Sequence, residues 1–216
     1  PPRSTLFPYT TLFRSLGENV MKGYYKNPEA TAQTIKDGRL WSGDRGYIDE
    51  DGFLYVVGRE KALLIAEDGE KYSPEEIEEA ITTSTDLIDQ IMVWCDHKKY
   101  SCALVSLDQN KVQRFVAKRG IASVEALCNA LQEEFYAFRK DPKAKKVQNA
   151  WVPGAFQILA SPFSEKDGTI NSTMKIVRYK VSELYKESLE YSYTKAGSQT
   201  LNPRHLATLR DLFQLS

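Results

Sequence analysis

Apolar and polar residues alternate in several short segments of this 216-residue chain, and the alternation predicts β-strands joined by tight turns. The stretch GYIDEDGFLYVVGRE predicts a hairpin that turns at Glu50-Asp51-Gly52, and ALLIAEDGEKYSP predicts a second hairpin that turns at Asp68-Gly69. The runs DQIMVWCD and SCALVSLD, separated by the polar HKKY, predict a pair of strands, and FQILAS predicts a further strand.

Other segments carry apolar residues at helical spacing. A short helix is predicted after Asn27, which has the composition of an N-cap and is followed by Pro28; the helix should end at Asp37-Gly38. Another helix is predicted after Ser73, because Glu76 stands at the spacing of a capping box. Further helices are predicted over residues 109–118, over 123–139 and in VSELYKESLEY. Helices mixed with hairpins predict an α+β fold.

Composition and charge narrow the class of protein. A hydrophobic content of 42% with 27% charged residues is ordinary for a globular protein, and no apolar run approaches the roughly 18 residues of a membrane span. The 29 basic residues are balanced by 29 acidic residues, so the whole chain offers no electrostatic reason to bind nucleic acid.

Cysteine and histidine chemistry is not predicted. Cys95, Cys102 and Cys128 are odd in number and lack a Cys-x-x-Cys spacing, so we expect small buried side chains in a reducing compartment rather than disulfides or zinc ligands. His97 and His205 stand in no metal or catalytic-triad spacing. We therefore predict no metal site.

The first fifteen residues, PPRSTLFPYTTLFRS, have the period of neither a strand nor a helix. Pro8 and Arg14 interrupt the apolar runs that a secretory leader would need. Written in codons, the stretch resembles a translated short-read sequencing adapter at all fifteen positions. We therefore expect residues 1–15 to be non-native and the native sequence to begin at Leu16.

Several short motifs follow one another along the rest of the chain. They are Gly-Tyr-x-x-x-Pro-Glu-x-Thr from Gly23, Trp-Ser-Gly-Asp up to Asp44, Gly-Arg-x-Lys up to Lys61, the glycine turn at Gly69, Pro-x-Glu-Ile-Glu from Pro74 and the late Lys175. Each alone is typical of a turn or a solvated face, and Glu75, Glu76, Glu78 and Glu79 are expected on a wet helix face. In this order the motifs resemble the AMP-forming acyl-CoA synthetases, most of all the long-chain fatty acid branch.

The resemblance implies a domain organisation and an activity. Residues 16–58 would be the end of the large AMP-binding domain, in its small β-rich subdomain, and residues 59–216 the hinge and a mobile α+β C-terminal lid domain. The parent protein would convert ATP (as Mg-ATP), a fatty acid and CoA into acyl-CoA, AMP and pyrophosphate through an acyl-adenylate. The phosphate-binding loop and acyl pocket of the family are absent from this sequence, so we expect the fragment alone to be inactive.

The resemblance also implies roles for five residues. Asp44 would accept hydrogen bonds from the ribose hydroxyls of ATP, and Arg59 would reach the ribose or phosphates with its guanidinium fork. Lys61 would occupy the hinge, and the turn at Gly69 would line the channel for the pantetheine arm of CoA. Lys175 would be catalytic, because an ammonium can bridge the acid oxygen and the α-phosphate while negative charge grows.

Two alternatives stay open from the sequence. The parent could load its acyl group onto a carrier protein instead of CoA, or the domain could have kept the fold and become a non-catalytic interaction module. The expected partners are a fatty acid, ATP, CoA and the missing N-terminal domain, with no nucleic acid. We expect a cytoplasmic protein; its fatty substrate leaves peripheral membrane contact open, although no basic amphipathic helix demands it.

Overall fold

The computed structural model describes residues 11–59, 62–142 and 147–215, and the chain divides into two compact units, Pro1–Leu63 and Leu64–Ser216. The first unit is built on a sheet whose central strand pairs antiparallel with three others. Its elements are β1 (Thr11–Ser15), α1 (Pro28–Thr34), β2 (Ile35–Lys36), the central β3 (Arg39–Ile48) and β4 (Leu54–Arg59).

The predicted hairpin in the first unit is confirmed as β3 and β4. The Asp49 amide donates to the Phe53 carbonyl at 3.0 Å, and the Gly52 amide donates to the Asp49 carbonyl at 3.1 Å. Gly52 has a φ of +85°, a conformation that glycine adopts without the steric penalty of a Cβ.

The predicted N-cap of α1 is also confirmed. The Asn27 side chain accepts from the Ala30 amide at 3.0 Å, and its carbonyl accepts from the Thr31 hydroxyl at 2.8 Å. That hydroxyl in turn accepts from the Tyr24 amide at 2.9 Å, which explains the spacing of the tyrosine and threonine in this motif. The helix ends at Thr34, earlier than predicted, because the chain turns directly into β2.

The first fifteen residues have the period of neither a strand nor a helix, yet Thr11–Ser15 forms a strand. This segment is β1, which pairs with β3 from Thr11 opposite Gly46 to Ser15 opposite Leu40. A strand at the edge of a sheet is held by backbone hydrogen bonds, which do not require an alternating side-chain pattern. The non-native origin of residues 1–15 stays a prediction.

The second unit contains two sheets, six α-helices and two short 3-10 helices, Ala137–Arg139 and Asn149–Trp151, in its described part. The larger sheet has the strand order β10-β9-β7, with β7 and β9 antiparallel and β9 and β10 parallel; the smaller sheet has the order β6-β5-β8. The strands are β5 (Leu64–Ala66), β6 (Lys71–Tyr72), β7 (Ile88–Trp94), β8 (Asp96–Lys98), β9 (Cys102–Leu107) and β10 (Ala155–Ile158). The helices are α2 (Pro74–Ser84), α3 (Gln109–Arg119), α4 (Val124–Phe135), α5 (Arg178–Leu184), α6 (Lys186–Tyr191) and α7 (Pro203–Phe213).

The larger sheet of the second unit is covered on both faces. Alternate strand residues point to opposite faces, so Val93 and Met92 of β7 belong to different apolar clusters. The cluster around Val93 includes Ile77 of α2, Leu127 of α4 and Leu209 of α7. The cluster around Met92 includes Val181 of α5 and Leu189 of α6. The predicted α+β fold is confirmed.

Two details of the predicted helices are wrong. Ser73 precedes α2, but its side-chain oxygen accepts no cap hydrogen bond from the first turn. Its hydroxyl instead donates to the carboxylate of Glu75 at 2.8 Å, and a hydrogen bond to a charged acceptor is strong enough to set the orientation of the side chain. The stretch VSELYKESLEY forms two helices, α5 and α6, which meet at Tyr185.

The three cysteines are free and buried, as predicted. In the described ranges, no cluster of three or more histidine, cysteine or acidic residues is arranged to hold a metal ion. None of the described helices is long and apolar enough to cross a membrane.

Candidate active site

Lys175 lies at the end of a short loop that its own residues hold in shape. An antiparallel bridge between Ile170 and Ile176 closes the loop, and the Asn171 amide donates to the Lys175 carbonyl at 3.0 Å. The Asn171 side-chain oxygen accepts from the Thr173 amide (3.0 Å), the Thr173 hydroxyl (2.8 Å) and the Lys175 amide (2.9 Å). The Asn171 side chain therefore orders this loop. Lys175 itself is exposed, which leaves its amine accessible to an anionic ligand.

The turn before this loop is fixed by a buried threonine. Gly168 has a φ of +73°, as a tight turn at Asp167-Gly168 requires. The Asp167 carboxylate accepts from the Thr169 amide at 3.0 Å and also from the Thr169 hydroxyl; that hydroxyl bond is the main reason that the pKa of Asp167 is lowered. The Thr169 hydroxyl also accepts from the Ser164 amide at 2.8 Å. The loop thus starts from an ordered base.

The chain after the loop is tied to α2 and β7 through Arg178. Its Nη2 lies 2.5 Å from Oε2 of Glu78, and its Nη1 donates to the Val93 carbonyl at 3.1 Å. Glu78 uses its other oxygen, Oε1, to accept from the Val93 amide at 2.7 Å. Burial raises the pKa of Glu78, and the neighbouring guanidinium opposes that rise. A buried carboxylate in this position requires its partners.

The structure contradicts the expectation that Glu78 lies on a wet helix face. Its side chain is only 14% exposed, against 52% for Glu75. The sequence did contain a signal, because Pro74, Ile77, Glu78 and Ile81 have the i, i+3, i+4, i+7 spacing of the buried face of a helix. A carboxylate at such a position calls for a basic partner.

Gly69 lies in the turn between β5 and β6, and the predicted hairpin is confirmed. The Gly69 amide donates to the Ala66 carbonyl at 3.0 Å, and the Ala66 amide donates to the Glu70 carbonyl at 2.9 Å. Gly69 has a φ of +85°, and a Cβ at this position would have open space around it. The backbone conformation of the turn therefore accounts for a glycine here. Its role toward CoA stays a prediction.

Asp44 and Arg59 are brought together in the first unit. They are opposite each other on β3 and β4, and Arg59 Nε lies 3.1 Å from Asp44 Oδ1. The side chain of Asp44 is 30% exposed and that of Arg59 is 72% exposed. An exposed pair adds little to stability. The exposed fractions leave part of both side chains accessible from solvent. Lys61, the predicted hinge residue, lies outside the described residues.

Comparison with known proteins decides the family. A family model described as the AMP-binding enzyme C-terminal domain matches residues 61–197, a range that includes Gly69, Glu78, Lys175 and Arg178. The chain belongs to the AMP-binding, adenylate-forming enzymes. The resemblance to AMP-forming acyl-CoA synthetases is thereby confirmed.

Relatives of this adenylate-forming chain include fatty acid ligases. It is 30% identical over 184 residues to long-chain-fatty-acid--CoA ligase FadD15 of Mycobacterium tuberculosis, a match that covers 83% of this chain and 30% of that protein. It is 34% identical over 190 residues to the probable acyl-activating enzyme 16, chloroplastic, of Arabidopsis thaliana, covering 82% of this chain and 26% of the relative. The chain thus spans less than a third of the length of these relatives.

A solved structure shows the same fold. The adenylation domain of the carboxylic acid reductase from Segniliparus rugosus, determined with AMP and a co-purified carboxylic acid, matches with a TM-score of 0.70 and 27% identity. The match covers 85% of this chain and 28% of that domain. The adenylate-forming fold therefore extends over most of the chain.

Proposed function

We propose that this chain is the C-terminal part of a long-chain fatty acid–CoA ligase that converts ATP, a fatty acid and CoA into acyl-CoA, AMP and pyrophosphate. The observation that carries the proposal is the position of Lys175, exposed on an ordered loop inside the region that matches the C-terminal domain of AMP-binding enzymes. The names of several relatives, among them FadD15, support the fatty acid as substrate.

In the first half-reaction, a fatty acid carboxylate attacks the α-phosphate of ATP, and pyrophosphate leaves. Two anions approach one another in this step, so a cation between them lowers the barrier. The Lys175 amine supplies that cation. Asp44 and Arg59 bind the nucleotide, the carboxylate through the ribose hydroxyls and the guanidinium through the ribose or phosphate oxygens. Mg²⁺ enters as part of the ATP substrate.

In the second half-reaction, the thiol of CoA attacks the acyl-adenylate and releases AMP. The exposed β5–β6 turn at Gly69 would line the path of the pantetheine arm, and Lys61 would be the hinge about which the lid turns between the two steps. The phosphate-binding loop and the acyl pocket would come from an N-terminal domain of the same protein. The chain by itself is therefore expected to be inactive.

Product analysis tests this function. The full-length parent protein, incubated with Mg-ATP, palmitate and CoA, should form AMP, pyrophosphate and palmitoyl-CoA in equal amounts, while this chain alone, the matched control, should form none. Formation of ADP and phosphate would overturn the proposal. Adenylate formation without transfer to CoA, but with transfer to an added acyl carrier protein, would favour carrier loading, and binding of ATP without turnover would favour a non-catalytic module.

We also propose a cytoplasmic location for the parent protein. Support comes from the three free, buried cysteines, since proteins of oxidising compartments commonly use such residues in disulfides. Fractionation of cells that express the full-length protein would test this. Peripheral binding to membranes that carry its fatty substrate would be seen in the same experiment.

A further inference from the structure

Both ends of the segment that carries Lys175 are attached to the same strand, β7. At the entry, Gln90 of β7 accepts from the Phe163 amide at 2.6 Å and donates to the Phe163 carbonyl at 3.3 Å. At the exit, Arg178 donates to the carbonyl of Val93, also on β7, at 3.1 Å. We propose that the Arg178–Glu78 ion pair is a positioning device that fixes the Lys175 loop for adenylate formation.

The exit attachment is close to Lys175 along the chain. Arg178 begins α5, and just before it the Val177 amide donates to the Thr169 carbonyl at 2.8 Å. Together with the Ile170–Ile176 bridge, this hydrogen bond closes the base of the loop. A displacement of Arg178 would therefore also displace the base of the loop and, with it, Lys175.

Two hydrogen-bond acceptors fix the orientation of the Arg178 guanidinium. Its guanidinium fork contacts the Glu78 carboxylate with Nη2 and the Val93 carbonyl with Nη1, so two acceptors on two elements define its orientation. Glu78 is itself held, since its second oxygen accepts from the Val93 amide. The pair is 25% and 14% exposed at its side chains, so solvent screens it less than an exposed pair.

A purely stabilising role and a positioning role predict different behaviour when both charges are removed. Loss of one partner leaves an uncompensated, largely buried charge, whereas loss of both removes that penalty. Stability should therefore recover in a double variant. The orientation of the chain at position 178 should not recover, because the attachment to α2 and β7 is gone.

Hydrogen exchange on the 216-residue chain tests the positioning role without any activity. In Arg178→Met, the amides of Asn171 and Val177, which close the loop base, should exchange about tenfold faster, the equivalent of one charged hydrogen bond. In the double variant Glu78→Gln/Arg178→Met, the melting temperature should rise again toward that of the unchanged chain while exchange at these two amides stays fast. Glu78→Gln keeps an oxygen to accept from the Val93 amide.

Arg204→Met is the matched control, because it removes a different arginine–glutamate pair. Arg204 Nη2 lies 2.5 Å from Glu187 Oε1, and this pair joins α7 to α6. Arg204→Met should leave exchange at Asn171 and Val177 unchanged. The proposal is overturned if these amides keep their protection in Arg178→Met, or if their protection returns in the double variant together with the melting temperature. If Arg178→Met does not fold, the double variant carries the test with the same readout.

The second test rests on the proposed function and uses the full-length parent protein. Arg178→Met should lower the rate of acyl-adenylate formation by about ten- to a hundredfold, as expected for a misplaced catalytic group, and leave thioester formation from supplied acyl-adenylate within twofold. The Lys175→Ala variant is the reference. If Lys175→Ala loses adenylate formation but Arg178→Met does not, the positioning role fails and the function stands. If Lys175→Ala keeps it, the function fails, and the exchange experiment still decides the positioning role.

Discussion

At the scale of single residues, Asn171 shows how one side chain orders the loop that carries Lys175. Its Oδ1 accepts three hydrogen bonds, two of them from the backbone amides of Thr173 and Lys175. A short polar side chain that bonds to its neighbouring backbone is typical of loops. The order of this loop therefore rests on contacts within residues 171–175.

We predict that Asn171→Ala exposes the Thr173 and Lys175 amides to faster exchange, since each loses its acceptor. Asn171→Asp keeps an acceptor oxygen in place and should retain most of the protection. The Met174 amide, which donates to the Asn171 backbone carbonyl at 2.9 Å, serves as an internal reference. Exchange measured by NMR checks this, and equal rates in the alanine and aspartate variants would show that the side-chain oxygen does not hold the loop.

The buried His205 gives the folded chain a pH dependence. Its ring stacks on Phe156 and its Nδ1 lies 2.8 Å from the Thr200 carbonyl, and burial lowers its pKa below the ordinary value of 6.5. The unfolded chain therefore takes up a proton at a higher pH than the folded chain. The free energy of unfolding should have its full value above pH 6.5. As the pH drops from 6.5 toward the folded-state pKa, it should decrease by up to about 1.4 kcal/mol per pH unit.

Urea denaturation at a series of pH values between about 7.5 and 5.5 measures this effect. His205→Gln should flatten the curve in that range. A slope in His205→Gln equal to that of the unchanged chain would mean that His205 is not the responsible group.

The sequence analysis missed the burial of Glu78 and its pairing with Arg178. Its spacing within α2 placed it on the buried face, but a charged residue among acidic neighbours suggested a solvated surface. Its partner, Arg178, stands 100 residues further along the chain. A contact of that sequence separation leaves no local pattern, so only the three-dimensional structure could reveal the pair.

At the scale of elements, the hairpins and most helices could be predicted from the spacing of apolar residues and from the residue types at turns. The β3–β4 and β5–β6 hairpins, α1, α3 and α4 lie close to where the sequence predicted them. The parallel pairings of β9 with β10 and of β5 with β8 were not predicted. Parallel partners are joined by long connections, so local patterns cannot identify them.

The β5–β6 hairpin provides a prediction about its turn. Gly69→Ala should destabilise the second unit by about 1–2 kcal/mol, because φ near +85° is costly for a residue with a Cβ. Gly69→Asn should cost less, because asparagine visits this conformation more readily. Space is not the cause, since a Cβ there would contact nothing within 4 Å. Urea midpoints compare the two variants, and a stable alanine variant would mean that the turn has relaxed.

At the scale of the whole molecule, the order of the motifs carried more information than any one of them. Trp-Ser-Gly-Asp or a late lysine alone is common, whereas their succession along the chain identified the family before the fold was known. Composition added little, because balanced charge and ordinary hydrophobicity fit many proteins. The C-terminal domain match over residues 61–197 confirms the family.

The residues proposed to act, Asp44 and Lys175, belong to the two separate units, and the structure describes each within its own unit. Asp44 with Arg59 offers a polar, accessible pair, and Lys175 offers an accessible cation on an ordered loop. The proposed chemistry divides between them: nucleotide binding in the first unit, and delivery of a cation to the reacting phosphate by the second.

The central claim is that Lys175 serves adenylate formation, and the comparison of the two half-reactions in the full-length parent protein tests it most directly. Lys175→Ala should lower acyl-adenylate formation from ATP and fatty acid by at least about a hundredfold, while thioester formation from supplied acyl-adenylate and CoA stays largely intact. Lys166→Ala, which removes another exposed lysine of the same unit, should change neither. Equal loss of both half-reactions in Lys175→Ala would contradict the account.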